Sequence, residues 1–135
     1  MSDKTFVPAQ EIPPASQIGA TLESLASTLA ARRDAGAQSY TFSLLTGSAD
    51  APLKKLMEEA GEVALAAKDV EAVGAAALDH LRYEAADVLY HLLVVLERYH
   101  ISLDEFSAEL NTRMTVAERP VGGVQLYDEY VKRGK

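Results

Sequence analysis

The chain has 135 residues, enough for one domain with a real core, and 48% of them are hydrophobic, which excludes disorder over most of its length. A formal net charge of -7 and a pI near 4.9 argue against nucleic acid or an anionic membrane surface as partner, since both need a basic footprint. With no cysteine, disulfide scaffolds, thiolate catalysis and sulfur-ligated metal centres are excluded, and no run of roughly 18 apolar residues is present to span a membrane.

Residues 1–15 hold Pro8, Pro13 and Pro14 among polar residues and read as an irregular leader. It lacks a basic flank followed by an apolar stretch, so the cytoplasm is the expected location. Ile18, Leu22, Leu25 and Leu29 recur at helical spacing and predict a first helix that stops at Gly36. Residues 39–45 predict one or two turns ending at Gly47. A second long helix is expected to start with Asp50 or Ala51 as its cap and Pro52 in its first turn, where a missing N–H costs nothing. Its predicted apolar stripe is Leu53, Leu56, Ala60, Val63 and Ala67.

Helical propensity weakens from Asp69 to Gly74, and a third long helix is expected from about Ala75 to Tyr99 with Leu78, Leu81, Ala85, Leu89, Leu92 and Leu96 recurring. Its apolar character around residues 88–96 runs nearly all the way round, which in so small a chain predicts a homodimer or higher homo-oligomer. Ser102 and Glu105 form a capping box that opens a last core helix carrying Leu103, Phe106, Leu110 and Met114. The tail contains Pro120, Gly122 and Gly123, then a short amphipathic turn at Leu126, Tyr127, Tyr130 and Val131. Without repeats or strand alternation, the expected architecture is an all-α helical bundle over residues 16–114, its core completed by dimerisation, between leader 1–15 and tail 115–135.

Two carboxylate clusters fall on the second and third long helices: Glu58, Glu59 and Glu62, then Glu84 and Asp87. Acids three residues apart lie about 300° apart round a helix and share a face one turn apart. Glutamates on a helix usually form a solvated face, but Glu84 and Asp87 sit among Tyr83, Ala85, Ala86, Val88 and Leu89, where uncompensated charge is costly. If the two helices face each other, the clusters make an oxygen-lined pocket that needs a hard cation, magnesium or a manganese substitute.

The pattern Glu58-Glu59-x-x-Glu62 followed by Glu84-x-x-Asp87 resembles the signature of the all-α MazG-type nucleotide pyrophosphohydrolases. Ser39-Tyr40-Thr41, Leu53-Lys54-Lys55, Ala66-Ala67-Lys68 and the run from Tyr83 to Leu93 resemble the phosphoribosyl-ATP pyrophosphatase branch, over about residues 22–114. The resemblance implies magnesium-dependent release of pyrophosphate from phosphoribosyl-ATP, giving phosphoribosyl-AMP, in histidine biosynthesis, by helical dimers or higher assemblies whose sites draw on more than one chain. It implies Glu59, Glu62, Glu84 and Asp87 as metal ligands and Glu58 as an additional acid that ligates or orients the attacking water. Lys54, Lys55 and Lys68 are candidates for gripping phosphates, Lys68 foremost, with solubilising surface lysine as the alternative. Ser39, Tyr40 and Thr41 carry hydroxyls suited to ribose or phosphate, with helix capping as the alternative. His80 and His91 share the acidic face at helical spacing, and both are placed outside the ligand set as structural histidines.

Three other functions compete with this one. A house-cleaning nucleoside triphosphate pyrophosphohydrolase would use the same ligands with a different base and ribose pocket. A ferritin-like di-iron bundle would need Glu-x-x-His in two helices, and the chain offers only Glu97 with His100. A non-catalytic helical scaffold would carry the acids as a surface patch.

Overall fold

The computed structural model describes residues 16–36 and 39–126; the expected leader, and the part of the predicted tail turn at Tyr127, Tyr130 and Val131, lie outside these residues. Among the described residues there are helices and turns and no strand, so the all-α class holds. The chain divides between Tyr99 and His100 into two compact units.

The first unit is built from four helices: α1 (Ile18–Asp34), α2 (Tyr40–Thr46), α3 (Asp50–Val73) and α4 (Leu78–Arg98). Helix α1 buries Leu29 completely, while Leu22 and Leu25 are half-buried and Ile18 is exposed. Ser39 starts α2 as an ordinary N-cap, its hydroxyl accepting from the amide of Phe42 at 3.0 Å. Arg98 closes the other end, its guanidinium donating to the carbonyl oxygens of Leu44 (2.9 Å) and Gly47 (2.8 Å), which α2 itself leaves over.

Helix α3 begins one or two residues earlier than the expected cap at Asp50 or Ala51. Ala49 is the N-cap and Asp50 the first helical residue, where its charge complements the helix dipole; buried Pro52 still falls in the first turn. The weak propensity after Asp69 does not end the helix, which continues to Val73 and stops where Gly74 takes φ +77°. A side chain there would be strained, so glycine fixes the stop. One 3₁₀ turn, Gly74–Ala77, replaces the expected start of the next helix, and α4 follows from Leu78. The chain thus reverses within four residues, and α3 and α4 pack along each other as a hairpin.

The core of this unit is Leu29 from α1, Leu44 and Leu45 from α2, Ala66 from α3, and Leu93 and Val94 from α4. Each full-sized aliphatic side chain buried here contributes roughly 1.5–3 kcal/mol. The predicted α3 stripe is displaced: Leu56, Val63 and Ala67 are half-buried, whereas Leu53 and Ala60 are exposed. The buried positions are Pro52, Glu59 and Ala66, seven residues apart at each step, so the inward face of α3 is centred on a glutamate.

The second unit holds α5 (Leu103–Thr112) and the turns that follow it. The predicted capping box is present: Ser102 Oγ accepts from the Glu105 amide at 3.2 Å and the Glu105 carboxylate accepts from the Ser102 amide at 2.7 Å. Those bonds favour the charged carboxylate and hold its pKa below the ordinary glutamate value. Beyond α5, the buried Asn111 side chain donates to the carbonyl of Val124 at 2.8 Å. A Cβ on Gly123 would meet the Asn111 side chain and the Pro120 carbonyl, each at 3.0 Å, so the segment passes tightly because that residue has no side chain.

Candidate metal centre

The α3–α4 hairpin brings the two acidic clusters together. One carboxylate oxygen from each of Glu59, Glu84 and Asp87 lies within 4.8 Å of the other two. Glu59 is 5% exposed and Glu84 6%, and Asp87 is half-buried. Glu59 comes from α3, and the others project one turn apart from α4, so the meeting depends on the register of the hairpin as well as on spacing within each helix.

One oxygen of each buried glutamate has a partner. Lys55 Nζ lies 2.9 Å from Glu59 Oε1, and His80 Nε2 lies 2.9 Å from Glu84 Oε1. The second oxygens, Glu59 Oε2 and Glu84 Oε2, are buried and have no hydrogen-bond donor among the described residues. A buried carboxylate oxygen without a donor costs the desolvation of that atom, unless a cation takes the place of the missing proton. The donor set is oxygen only, which suits a hard divalent ion.

Glu62 stands at the rim, exposed, with its carboxyl group close to those of Glu84 and Glu59. Hydrogen bonding with Glu84 and Glu59, and repulsion from their charges, push its pKa above the ordinary glutamate value. Glu59 shifts the other way, held down chiefly by its hydrogen bond from Lys55. The same bond, with a second to Glu58, raises the pKa of Lys55.

The other residues singled out from the sequence divide. Glu58 is not among the three converging acids; it pairs with Lys54 (3.5 Å) and with Lys55 (3.3 Å), the lysine that also holds Glu59. Of the three lysines, Lys55 is the one with a bond to the centre among the described residues; exposed Lys54 pairs there with Glu58. Lys68 is exposed and lies nine residues beyond Glu59, about half a turn round the helix, so its own chain does not bring it to the carboxylates. Ser39 caps α2, and exposed Tyr40 puts its hydroxyl 3.4 Å from His91 Nε2. His91 is buried and donates from Nδ1 to the Asp87 carbonyl at 2.9 Å, the structural role its sequence position suggested. His80 does reach a candidate ligand. Glu97, of the Glu-x-x-His match, is ion-paired with Arg33 at 3.0 Å and is not among the converging acids.

Thr41 was singled out from the sequence, but its partners Arg32 and Tyr90 were not. Buried Thr41 shares a 2.5 Å hydrogen bond with the Tyr90 hydroxyl and accepts one from Arg32 Nη1 at 3.2 Å. Tyr90 is one turn beyond Asp87, a spacing that could have signalled it, but nothing in the sequence announces the approach of α1.

Fold and site together define an all-α protein with a carboxylate centre in a helical hairpin, suited to a hard cation. The phosphoribosyl-ATP pyrophosphohydrolase family matches the chain over residues 22–114. The chain belongs to that family. Among its relatives, the phosphoribosyl-ATP pyrophosphatase of Dechloromonas aromatica is 36% identical over 114 residues, 84% of this chain and 93% of the relative. That of Rhizobium johnstonii is 45% identical over 96 residues, 70% of this chain and 84% of the relative. A histidine biosynthesis bifunctional protein of Halalkalibacterium halodurans is 43% identical over 94 residues, 70% of this chain and 41% of the relative. No solved structure matches the chain.

Proposed function

We propose that this protein hydrolyses the α–β phosphoanhydride of phosphoribosyl-ATP, leaving phosphoribosyl-AMP and pyrophosphate, as a magnesium-dependent step of histidine biosynthesis. The observation that carries the reading is the convergence of Glu59, Glu84 and Asp87, with two buried oxygens lacking donors, in a chain of this family. Glu59, Glu84 and Asp87 would hold the ion, with Glu62 completing the protein's share of ligands from the rim. A divalent ion bound there supplies charge neutralisation on the phosphoanhydride oxygens and a more acidic water.

The rest of the work falls to side chains. A water oxygen bonds to the α-phosphorus as its bond to the bridging oxygen breaks; the bridging oxygen and that electron pair leave with pyrophosphate, and the proton given up by the water passes to solvent. Lys55, already 2.9 Å from Glu59, places a positive charge beside the developing negative charge of the leaving group. Glu58, tethered by Lys54 and Lys55, is the acid assigned to orient the water. His91 holds the α4 backbone at Asp87 and sets the face on which Tyr40 rests.

The same reading includes a homodimer in the cytoplasm. Leu53, Met57 and Leu65 form an exposed apolar stripe on α3, Met57 77% and Leu65 68% exposed, and a second copy would cover it. Lys68 stands in that stripe, three turns from Met57, where it would face the partner rather than its own carboxylates.

The test is pyrophosphate release from phosphoribosyl-ATP by the purified protein, with magnesium and with chelator, beside a panel of nucleoside triphosphates. Magnesium-dependent release from phosphoribosyl-ATP alone is expected. Release mainly from a triphosphate would transfer the protein to the house-cleaning class, and none from any substrate would leave the acids as a scaffold feature.

A further inference from the structure

The first unit uses most of its arginines on itself. Arg33 pairs with Glu97, Arg82 with Asp79, and Arg98 with two carbonyls at the end of α2. Arg32 differs. Among the described residues it has no carboxylate partner, although acids outnumber bases 20 to 13 in the chain; its hydrogen bond goes to a neutral hydroxyl, that of Thr41. A guanidinium carries five donors, so most of its capacity faces outward from an exposed residue.

That guanidinium is also held in place. Thr41 is 3% exposed and is fixed in turn by the 2.5 Å bond to Tyr90, one turn along α4 from Asp87. Tyr40, next to Thr41, leans on His91 between this group and the acids. Arg32 is thus joined through Thr41 and Tyr90 to the stretch of α4 one turn beyond Asp87, and it pairs with none of the three converging carboxylates. The relay sets it apart from the groups that meet the phosphoanhydride, on the α1–α2 side of the centre.

Given the proposed substrate, on which this inference rests, negative charge at two ends, a triphosphate and a monophosphate, needs neutralising. The triphosphate end belongs at the carboxylate centre with its cation. The monophosphate on the phosphoribosyl arm lies at the other end, and an acidic protein must meet it with a cation of its own. We propose that Arg32, anchored by Thr41 and Tyr90, binds the monophosphate of the phosphoribosyl arm, and so separates phosphoribosyl-ATP from ordinary nucleoside triphosphates. Guanidinium suits this task because its planar fork bonds two phosphate oxygens at once.

The experiment compares kcat and KM of the unaltered enzyme, Arg32→Gln and Thr41→Val on phosphoribosyl-ATP and on ribosyl-ATP, which lacks the monophosphate. Arg32→Gln should raise KM for phosphoribosyl-ATP about ten- to a hundredfold, the range for losing a charged hydrogen-bond pair, and leave kcat within a few-fold. KM for ribosyl-ATP, already high in the unaltered enzyme, should not move. Thr41→Val keeps the charge and loosens its anchor, so it should give a smaller change in the same direction. Thermal melting of both variants reports on folding. Equal effects on the two substrates, or none on either, would overturn the proposal, as would a loss confined to kcat. Failure of the parent reading would be seen separately, as no turnover of phosphoribosyl-ATP by the unaltered enzyme.

Discussion

Glu59 and Glu84 meet across the α3–α4 hairpin, each with a buried Oε2 that has no hydrogen-bond donor among the described residues. Their helices approach closely because α3 ends at Gly74 and a single 3₁₀ turn returns the chain. Folding therefore concentrates negative charge that the sequence keeps 25 residues apart, and the electrostatic cost of doing so is what a bound cation would remove.

Glu84→Gln tests this directly. The amide keeps the shape and removes one buried charge, so the variant should melt higher than the unaltered protein in chelator. Magnesium at a hundred times its dissociation constant should stabilise the unaltered protein by about 2.7 kcal/mol and the variant far less. Turnover should fall by about a hundredfold or more. Melting curves with and without magnesium, beside a pyrophosphate-release assay, give both readouts; equal magnesium stabilisation of the two proteins would refute the ligand assignment.

Glu62 gives a pH dependence of definite sign. Its folded pKa is raised above the unfolded value by Glu84 and Glu59, so the folded state binds the proton more tightly. Stability in chelator should therefore fall as pH rises from the ordinary glutamate range through the raised folded value. Glu62→Gln should flatten that fall and melt higher than the unaltered protein above it. Saturating magnesium should reverse the ranking, because the carboxylate then has a cation beside it. Melting temperature against pH, with and without magnesium, measures this, and a slope left unchanged by the substitution would count against the coupling.

Arg98→Ala should loosen α2. It removes the donors to Leu44 and Gly47 while leaving Thr41, Tyr90 and the carboxylates intact. Loss of two charge-assisted bonds should cost about 1–3 kcal/mol in urea unfolding. Amide exchange in α2 should quicken more than in the α3–α4 hairpin. Uniform acceleration across all four helices would show that Arg98 stabilises the unit globally rather than this end of α2.

Met57→Lys and Leu65→Glu place charge on the exposed stripe of α3 without touching the core. If a second copy covers that stripe, either substitution should convert dimer to monomer in sedimentation equilibrium at micromolar concentration. Helical content should be retained, since both positions are exposed helix surface. Dimers that persist in both variants would move the interface elsewhere.

Much of the fold was already legible as local pattern. The spacing of Leu22, Leu25 and Leu29, Pro52 near a helix start, and the Ser102–Glu105 box each encode their outcome within one or two turns, because capping and helical periodicity depend on neighbours in sequence. The same locality placed Glu59 with Glu62, and Glu84 with Asp87, on shared faces. Family resemblance supplied the link between the pairs.

Tertiary structure decided what depends on contacts between helices. Leu53 and Ala60 belong to a periodic apolar stripe, yet the face of α3 that turns inward is centred on Glu59, because packing against α4 selects among faces that periodicity alone ranks wrongly. Lys55 and Lys68 look alike in sequence; helix rotation sends one to Glu59 and the other half a turn away. The Arg32–Thr41–Tyr90 group joins three helices, and no pattern within one helix encodes it. Local sequence thus determined which residues share a face, while the docking of helices determined which faces meet, since that depends on register and rotation set by the whole packed core.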